Sequence, residues 1–374
     1  MSTLFYFVDA GVDPDQYLAR RFAKRTKNLT NPLSKLAEFS CESVESDKQN
    51  EYSFGEKKMT ALLREVETTQ PQGFSVAPYA ANKRLQVVTL TAETIAAFDE
   101  SMAEWPVQAL EYKPFLRYAV ADKLDAITNY SLGKFLNATM QDRNAGAFLL
   151  QYEGQPDIAE GELRTEFDIK LSTAISHIVG LPNHDAMYGK YYARFTVLND
   201  DNSDSYLRQA HRRMELHNDG TYVNERTDYV LMQKLGEAHM EGGDSLLLHV
   251  DDWADLDKFY RHPLAKKNIV WGAPKSKNVD TKIEHAIFFE EDKNGKPHML
   301  FIDQFAEPQN MAEGIYLYEM GKSLEEDENF FRVRLPVGTM LVIQNHCWLH
   351  GRDKFVAHPQ LSRELLRQRG HFTK

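Results

Sequence analysis

Three things are scarce in this 374-residue chain: cysteine, surplus positive charge and long apolar runs. The two cysteines, Cys41 and Cys347, stand far apart in sequence. That gives no basis for a disulfide scaffold and fits a reducing, cytoplasmic setting. Lys and Arg number 44 against 55 Asp and Glu, a formal net charge of −11, with a pI of about 5.7. A field of that sign opposes general binding to nucleic acid or to an anionic membrane surface. No apolar run is long enough to span a bilayer. The opening stretch Met1 to Asp9 has no basic segment before its short apolar run, and Asp9 ends that run early, so no signal peptide is expected. Repeats and low-complexity tracts are also absent. A small anionic ligand would have to be drawn by a local cluster of cations, against the overall field.

What is present suffices for a substantial core: 42% of residues are hydrophobic. The length permits one large domain or two modest ones. Residues 1–71 differ from the rest. A basic cluster, Arg20 to Lys27, precedes the acidic Glu42 to Asp47, and both read as solvated surface. A helix is expected over 56–67, with Met59, Leu62, Leu63 and Val66 on one face. Thr68 to Gly73, with Pro71, marks a boundary. Beyond it Leu85–Leu90 predicts a strand, and Thr91-Ala92-Glu93-Thr94 resembles a capping box opening a helix that ends before Pro106. Phe115–Thr139 is helix-rich, Ala147–Tyr152 a strand and Phe167–Val179 a helix. A strand-rich half begins at Tyr191–Val197 and continues with Asp228–Leu235 and Ser245–Val250. A short helix follows at Ala254–Arg261. Strands at Ile283–Glu290 and His298–Ile302 flank Asn294-Gly295, a hairpin signal. A helix over Glu313–Leu324 precedes strands at Phe330–Val333, Thr339–Gln344 and Leu365–Phe372. Helices followed by many short antiparallel strands predict a mainly β protein, a double-stranded β-helix (jelly roll) with helices on one outer face.

The residues that carry chemistry lie in Met214 to Thr221. His217 and Asp219 are two apart, and on a strand such residues point to one face. With His350, far downstream, they would give two imidazoles and a carboxylate, the arrangement of non-haem Fe(II) oxygenases. His-x-Asp alone is unspecific in a chain with 13 His. His249-Val250-Asp251 repeats the spacing, and there a structural histidine at a strand end is expected. Other elements follow in order. Gly242-Gly243-Asp244-Ser245 suits a tight turn that places a hydroxyl at a strand start, where it can bond a carboxylate. Arg363, Arg367 and Arg369 share parity, so as a strand they crowd one face with guanidinium groups. Such a set repels itself unless anions sit among it, and Arg binds carboxylate with a two-pronged fork.

The order His-x-Asp, Gly-Gly-Asp-Ser, distal His, then Arg resembles the taurine-dioxygenase-like branch of the Fe(II)/2-oxoglutarate oxygenases. Longer stretches, Glu104–Tyr112, Asp201–Gln209, Met214–Val223 and Trp348–Asp353, resemble the carbon-starvation-induced family of glutarate 2-hydroxylases. The resemblance runs from about Gly73 to the C-terminus. It implies residues 72–374 as the oxygenase domain and leaves 1–71 as an extension without assigned role. It implies Fe(II) on His217, Asp219 and His350, with 2-oxoglutarate and O2 as co-substrates. Glutarate would become L-2-hydroxyglutarate, with succinate and CO2 released. By motif position, Ser245, Arg363 and Arg367 would hold 2-oxoglutarate, and Arg367 or Arg369 a carboxylate of glutarate. A homo-oligomer, a tetramer, is also implied. Three other readings stay open: the same chemistry on another small carboxylate or amino acid, a metal- or dicarboxylate-binding sensor without catalysis, and a zinc hydrolase, which leaves the Arg set without a role.

Overall fold

The computed structural model describes residues 73–154, 161–185, 188–200, 209–273 and 282–373. The expected extension 1–71 with its helix over 56–67, and residues 201–208 of one resemblance stretch, lie outside the described residues. In chain order come β1 (Phe74–Pro78), β2 (Gln86–Leu90), α1 (Ala92–Ser101), α2 (Val107–Tyr112), α3 (Pro114–Ile127), α4 (Ser131–Gln141), β3 (Ala147–Tyr152) and α5 (Glu162–Val179). Then follow β4 (Leu181–Pro182), β5 (Ala193–Leu198), β6 (Met214–His217), β7 (Tyr229–Ala238), β8 (Ser245–His249) and α6 (Leu256–Tyr260). An insertion carries β9 (Ile269–Trp271), β10 (Ile283–His285), β11 (Phe288–Glu291), β12 (Pro297–Met299), β13 (Ala306–Glu307) and α7 (Met311–Glu326). The chain closes with β14 (Phe331–Val333), β15 (Met340–Gln344), β16 (Trp348–Arg352) and β17 (Ser362–His371).

Two sheets build the roll. The larger runs β1-β2-β3-β15-β7-β17-β4, with β5 also on β17, and the smaller β14-β8-β16-β6. The pairing of β2 with β3 is parallel, and the other ladders of the two sheets are antiparallel. Strand alternation decides what each side chain meets. In β3, Phe148 and Leu150 pack with the helices, while Ala147 and Leu149 face Leu247 and Trp348 of the smaller sheet. In β15, Met340 and Val342 turn to the helices, and Leu341 and Ile343 to the roll interior. On the smaller sheet Leu246 and Leu248 point outward, against Trp271, Phe301 and Met320 of the insertion. Both outer faces are therefore covered: the larger by α1–α5, the smaller by the insertion and α7. The expected helices cover one outer face, and the insertion covers the other. The insertion is needed because Leu246, Leu248, Leu216 and Leu349 make the smaller sheet apolar on its outer face as well.

Local expectations hold in most places and fail instructively in a few. Thr91 caps α1, its side chain accepting from Thr94 N. The reciprocal half of a capping box is not made, because Thr91 N–H donates to Gly73 O at 3.0 Å and the Thr94 hydroxyl donates to the same oxygen at 2.8 Å. The Asn294-Gly295 hairpin forms between β11 and β12, its Asp292 side chain accepting from Asn294 N and Lys296 N. The strand expected over Ile283–Glu290 is split: β10 pairs with β9, β11 with β12. Leu341 is fully buried between the sheets. Leu341→Ala is expected to lower unfolding stability by about 2–5 kcal/mol, read from urea denaturation.

Candidate active site

The site grows from the end of β6. This strand pairs with β16 so that His217 and His350 stand directly opposite, their ring centroids 4.3 Å apart. The strand stops at His217, and Asp219 lies in the turn beyond it. The expected pairing of His217 and Asp219 on one strand face is thus replaced by a turn that brings the carboxylate back: His217 Nε2 and Asp219 Oδ1 are 3.8 Å apart. Two asparagines hold this turn. Asn218 is fully buried; its amide donates to Asn345 O and Trp348 O and its carbonyl accepts from Phe301 N. Asn345 clamps Asp219 from both sides, accepting from its N–H at 2.9 Å and donating to its carbonyl at 2.8 Å. Gly220 follows at φ +88, and a Cβ there would lie 2.8 Å from Thr227 Oγ1. Glycine alone satisfies both conditions.

One ligand-type atom each from His217, Asp219 and His350 lies within 4.8 Å of the others, the sole such His/Cys/Asp/Glu group among the described residues. The donor chemistry suits a divalent transition metal. His217 Nδ1 hydrogen-bonds Glu215 O at 2.7 Å. A carbonyl only accepts, so Nδ1 carries the proton, and Nε2 is the nitrogen on the Asp219 side. Burial, then the neighbouring His217, pushes the His350 imidazole down to about 3, so it is neutral near pH 7. Burial works against ionisation of Asp219, but the Arg367 and Arg369 guanidiniums outweigh it and hold the carboxyl well below its usual range. Two imidazoles and one carboxylate on one side of an ion fit Fe(II) with positions left open.

The same cavity is lined by Ser245, Arg363 and Arg367, with Arg352, Met232 and Leu365. It lies between the two sheets, Ser245, His350 and Arg352 coming from the smaller and Arg363 and Arg367 from the larger. Ser245 opens β8 after Gly242 and Gly243, both at positive φ. The three arginines do share one face of β17, and anions do sit among them. Arg367 Nη1 lies 3.2 Å from Asp219 Oδ2. Asp185 Oδ2 lies 3.6 Å from Arg367 Nη2 and 3.4 Å from Arg369 Nη2. Arg363 is different. It is buried, and its Nε has no hydrogen-bond partner. The nearby anions Glu237 and Asp244 are engaged by Lys234 and Arg334. Burial, reinforced by the like charge of Arg352, pushes the Arg363 guanidinium down to about 9.

The second His-x-Asp is structural. His249 Nε2 bonds Arg143 O at 2.9 Å, and its Nδ1 accepts from Asp251 N at 3.1 Å. Asp251 is held by Arg143 and Lys296, both at 2.7 Å. Neither ring nitrogen of His249 is left for a metal.

The sequence model of the CsiD family matches residues 74–372. The chain belongs to the CsiD family. It is 52% identical over 300 residues to a glutarate 2-hydroxylase of Salmonella paratyphi B, covering 80% of this chain and 91% of that protein. A glutarate 2-hydroxylase of Citrobacter koseri is 50% identical over 305 residues, 82% of this chain and 92% of the relative. Among solved structures, the non-heme iron oxygenase OrfP in complex with Fe and alpha-ketoglutaric acid aligns at TM-score 0.58 and 17% identity, covering 77% of this chain and 94% of that one. Asparagine oxygenase in complex with Fe(II), 3-hydroxyasparagine and succinate aligns at TM-score 0.59 and 15% identity, covering 76% and 93%. These two likenesses show the fold, the jelly roll of non-heme iron oxygenases.

Of the residues singled out from sequence, His217, Asp219, His350, Ser245, Arg363 and Arg367 meet in one cavity. Arg369 stands beside it, against Asp185. Asp185, Asn218, Asn345 and Arg352 went unmarked. Asn345 precedes His350 by five residues, and Arg352 follows that histidine by two. Asp185 carries no motif, and only the folded loop after β4 brings it to β17. His217→Ala and His350→Ala are expected to lose Fe(II) binding, while His249→Ala retains the metal at reduced stability. Metal content after anaerobic reconstitution checks this, and iron lost from His249→Ala but kept by His217→Ala would reverse the assignment.

Proposed function

We propose that this chain is an Fe(II)- and 2-oxoglutarate-dependent dioxygenase that hydroxylates glutarate to L-2-hydroxyglutarate, with release of succinate and CO2. The observation that carries the reading is the opening of the His217–Asp219–His350 group and of Arg363, a buried guanidinium with an unpartnered Nε, into one cavity. Family membership and relatives that cover most of this chain supply the substrate. His217, Asp219 and His350 hold the iron. Arg363 and the Ser245 hydroxyl bind the distal carboxylate of 2-oxoglutarate, with Arg367 nearer its other end. Arg369 or Arg367 takes a carboxylate of glutarate. The bound iron and its co-substrate supply the oxidising power for C–H hydroxylation. The residues of the chain orient two diacids against each other and exclude water between the sheets.

A metal or dicarboxylate sensor would bind 2-oxoglutarate without releasing succinate when O2 is admitted. A zinc hydrolase would leave Arg363 unmatched. The decisive experiment is anaerobic Fe(II) loading, then O2 with C4–C6 diacids, following succinate and the hydroxylated product. Succinate that rises with glutarate above its rate with the C4 and C6 acids supports the reading. Equal rates with another acid would move the substrate assignment.

The arginines should separate the two diacids. Breaking a buried, hydrogen-bonded charge pair costs on the order of 2–5 kcal/mol, roughly 30- to several-thousand-fold in affinity. Arg363→Met is expected to raise the 2-oxoglutarate requirement by that order, far more than the glutarate requirement. Arg369→Met should do the reverse and leave 2-oxoglutarate turnover uncoupled from hydroxylation. Titrating each diacid against each variant checks this, and near wild-type values for both would remove the arginines from the mechanism.

Several coarser assignments go with this reading: a cytoplasmic enzyme of lysine and glutarate degradation, acting as a homotetramer, with residues 1–71 outside the catalytic unit. Exposed Met311, Ile315 and Tyr318 on α7 support contact with a further copy. No helix among the described residues is long and apolar enough to cross a membrane. A chain beginning at Gln72 is expected to fold and hydroxylate glutarate. Aggregation or complete inactivity in a product assay would make the extension part of the working unit.

A further inference from the structure

This inference rests on the reading that the cavity takes 2-oxoglutarate and glutarate together. The two diacids have the same length and charge and differ at C2, a keto oxygen in one and a methylene in the other. The metal side selects 2-oxoglutarate, because only a keto acid chelates through both groups. The substrate side faces the opposite demand. A guanidinium grips a carboxylate whatever stands on the next carbon, so Arg367 and Arg369 by themselves would admit a second 2-oxoglutarate. Refusing it needs a group that tolerates a methylene and repels an oxygen lone pair.

We propose that Asp185 is that specificity-determining residue, keeping 2-oxoglutarate out of the glutarate subsite. Its Oδ2 lies 3.6 Å from Arg367 Nη2 and 3.4 Å from Arg369 Nη2. A carboxylate on the remaining edges of these forks lies close to Asp185, and on this proposal the carbon next to it faces Asp185. An ionised carboxylate only accepts hydrogen bonds. Facing a keto oxygen in a water-poor site, it sets acceptor against acceptor, whereas facing CH2 it loses nothing. Tyr188 and Tyr222, which lie near Arg367, have hydroxyls that donate as well as accept and so do not make this distinction.

The carboxylate is also held in place. Asp185 is 8% exposed, and its Oδ1 accepts from Tyr188 N at 3.4 Å. Its main chain bonds Lys190 O at 2.7 Å and receives Gly189 N at 2.8 Å. Two residues before it, Asn183 N donates to Arg369 O at 2.7 Å, stitching the loop to β17. Substrate cannot take over the arginines by simply displacing a mobile side chain.

The test is anaerobic calorimetry on the full-length, iron-loaded protein. Wild type is expected to bind one equivalent of 2-oxoglutarate and then one of glutarate. Asp185→Asn, whose amide donates, should bind a second equivalent of 2-oxoglutarate that glutarate displaces. In aerobic assays that variant should show inhibition by excess 2-oxoglutarate, competitive with glutarate and on the order of tenfold stronger than in wild type. Asp185→Glu, which keeps an acceptor-only group, should stay at one equivalent. The proposal is overturned if Asp185→Asn still binds one 2-oxoglutarate and one glutarate, or if Asp185→Glu behaves like Asp185→Asn. It is also overturned if Asp185→Asn binds no glutarate, since Asp185 would then be holding the guanidiniums in place. A wild type that takes no glutarate beside 2-oxoglutarate would instead sink the assigned function.

Discussion

The contact on which the site depends is the ion pair between Arg367 and Asp219, at 3.2 Å. It crosses the roll: Arg367 belongs to the larger sheet, and Asp219 follows the last strand of the smaller. A carboxyl taken out of water tends to hold its proton, and a protonated acid is a poor metal ligand. The guanidinium reverses that tendency and keeps Asp219 ionised. The pair is a poor source of net stability, because desolvating both charges offsets their attraction. Its contribution lies in charge state and geometry, and the Asn218 and Asn345 bonds keep the turn where the pair can form.

Parity along a few strands then arranges the rest. On β16, Trp348, His350 and Arg352 are each two apart and all face the interior. The strand passes from apolar packing through a candidate metal ligand to a cation. Its neighbour β8 answers in register, His249 opposite Trp348, Leu247 opposite His350 and Ser245 opposite Arg352. The interior is thus graded, apolar at one end and charged at the other, with the ligand group between.

That gradation explains what could be read in advance. The His–Asp–His group was legible because His-x-Asp, a distal His and a same-parity Arg set occur in order. The jelly roll was legible because short strands with turn signals follow a helical half. His249 shows the limit of spacing. It has the right neighbour and the right parity, yet it lies at the apolar end of β8, against Trp348. Which end of a strand borders the site is decided by cross-strand register, and one chain does not display that. Asp185 was illegible for a related reason: it reaches β17 through a loop, where no periodicity applies. The turn at Asp219 was hidden too, since its clamp is Asn345, distant in sequence and unremarkable in type.

Register also explains why the charge of Arg363 is left unmatched among the described residues. Opposite it in the ladder stands Glu237, an apparent partner. Between Glu364 and Leu365 the pairing shifts, and β7 carries Leu235 as an extra residue. The bulge bends β7 there and alters its twist. Lys234, fully buried, lies just before it. The Glu237 carboxylate turns back onto Lys234 and also meets Arg334, so its charge is already spent on other cations. An unmatched cation buried in this way costs on the order of several kcal/mol. Arg363 lines the same cavity as Ser245 and the His–Asp–His group, so its unmatched charge stands beside the candidate metal site. The bulge in β7 therefore does as much to leave this charge unmatched as the arginine does.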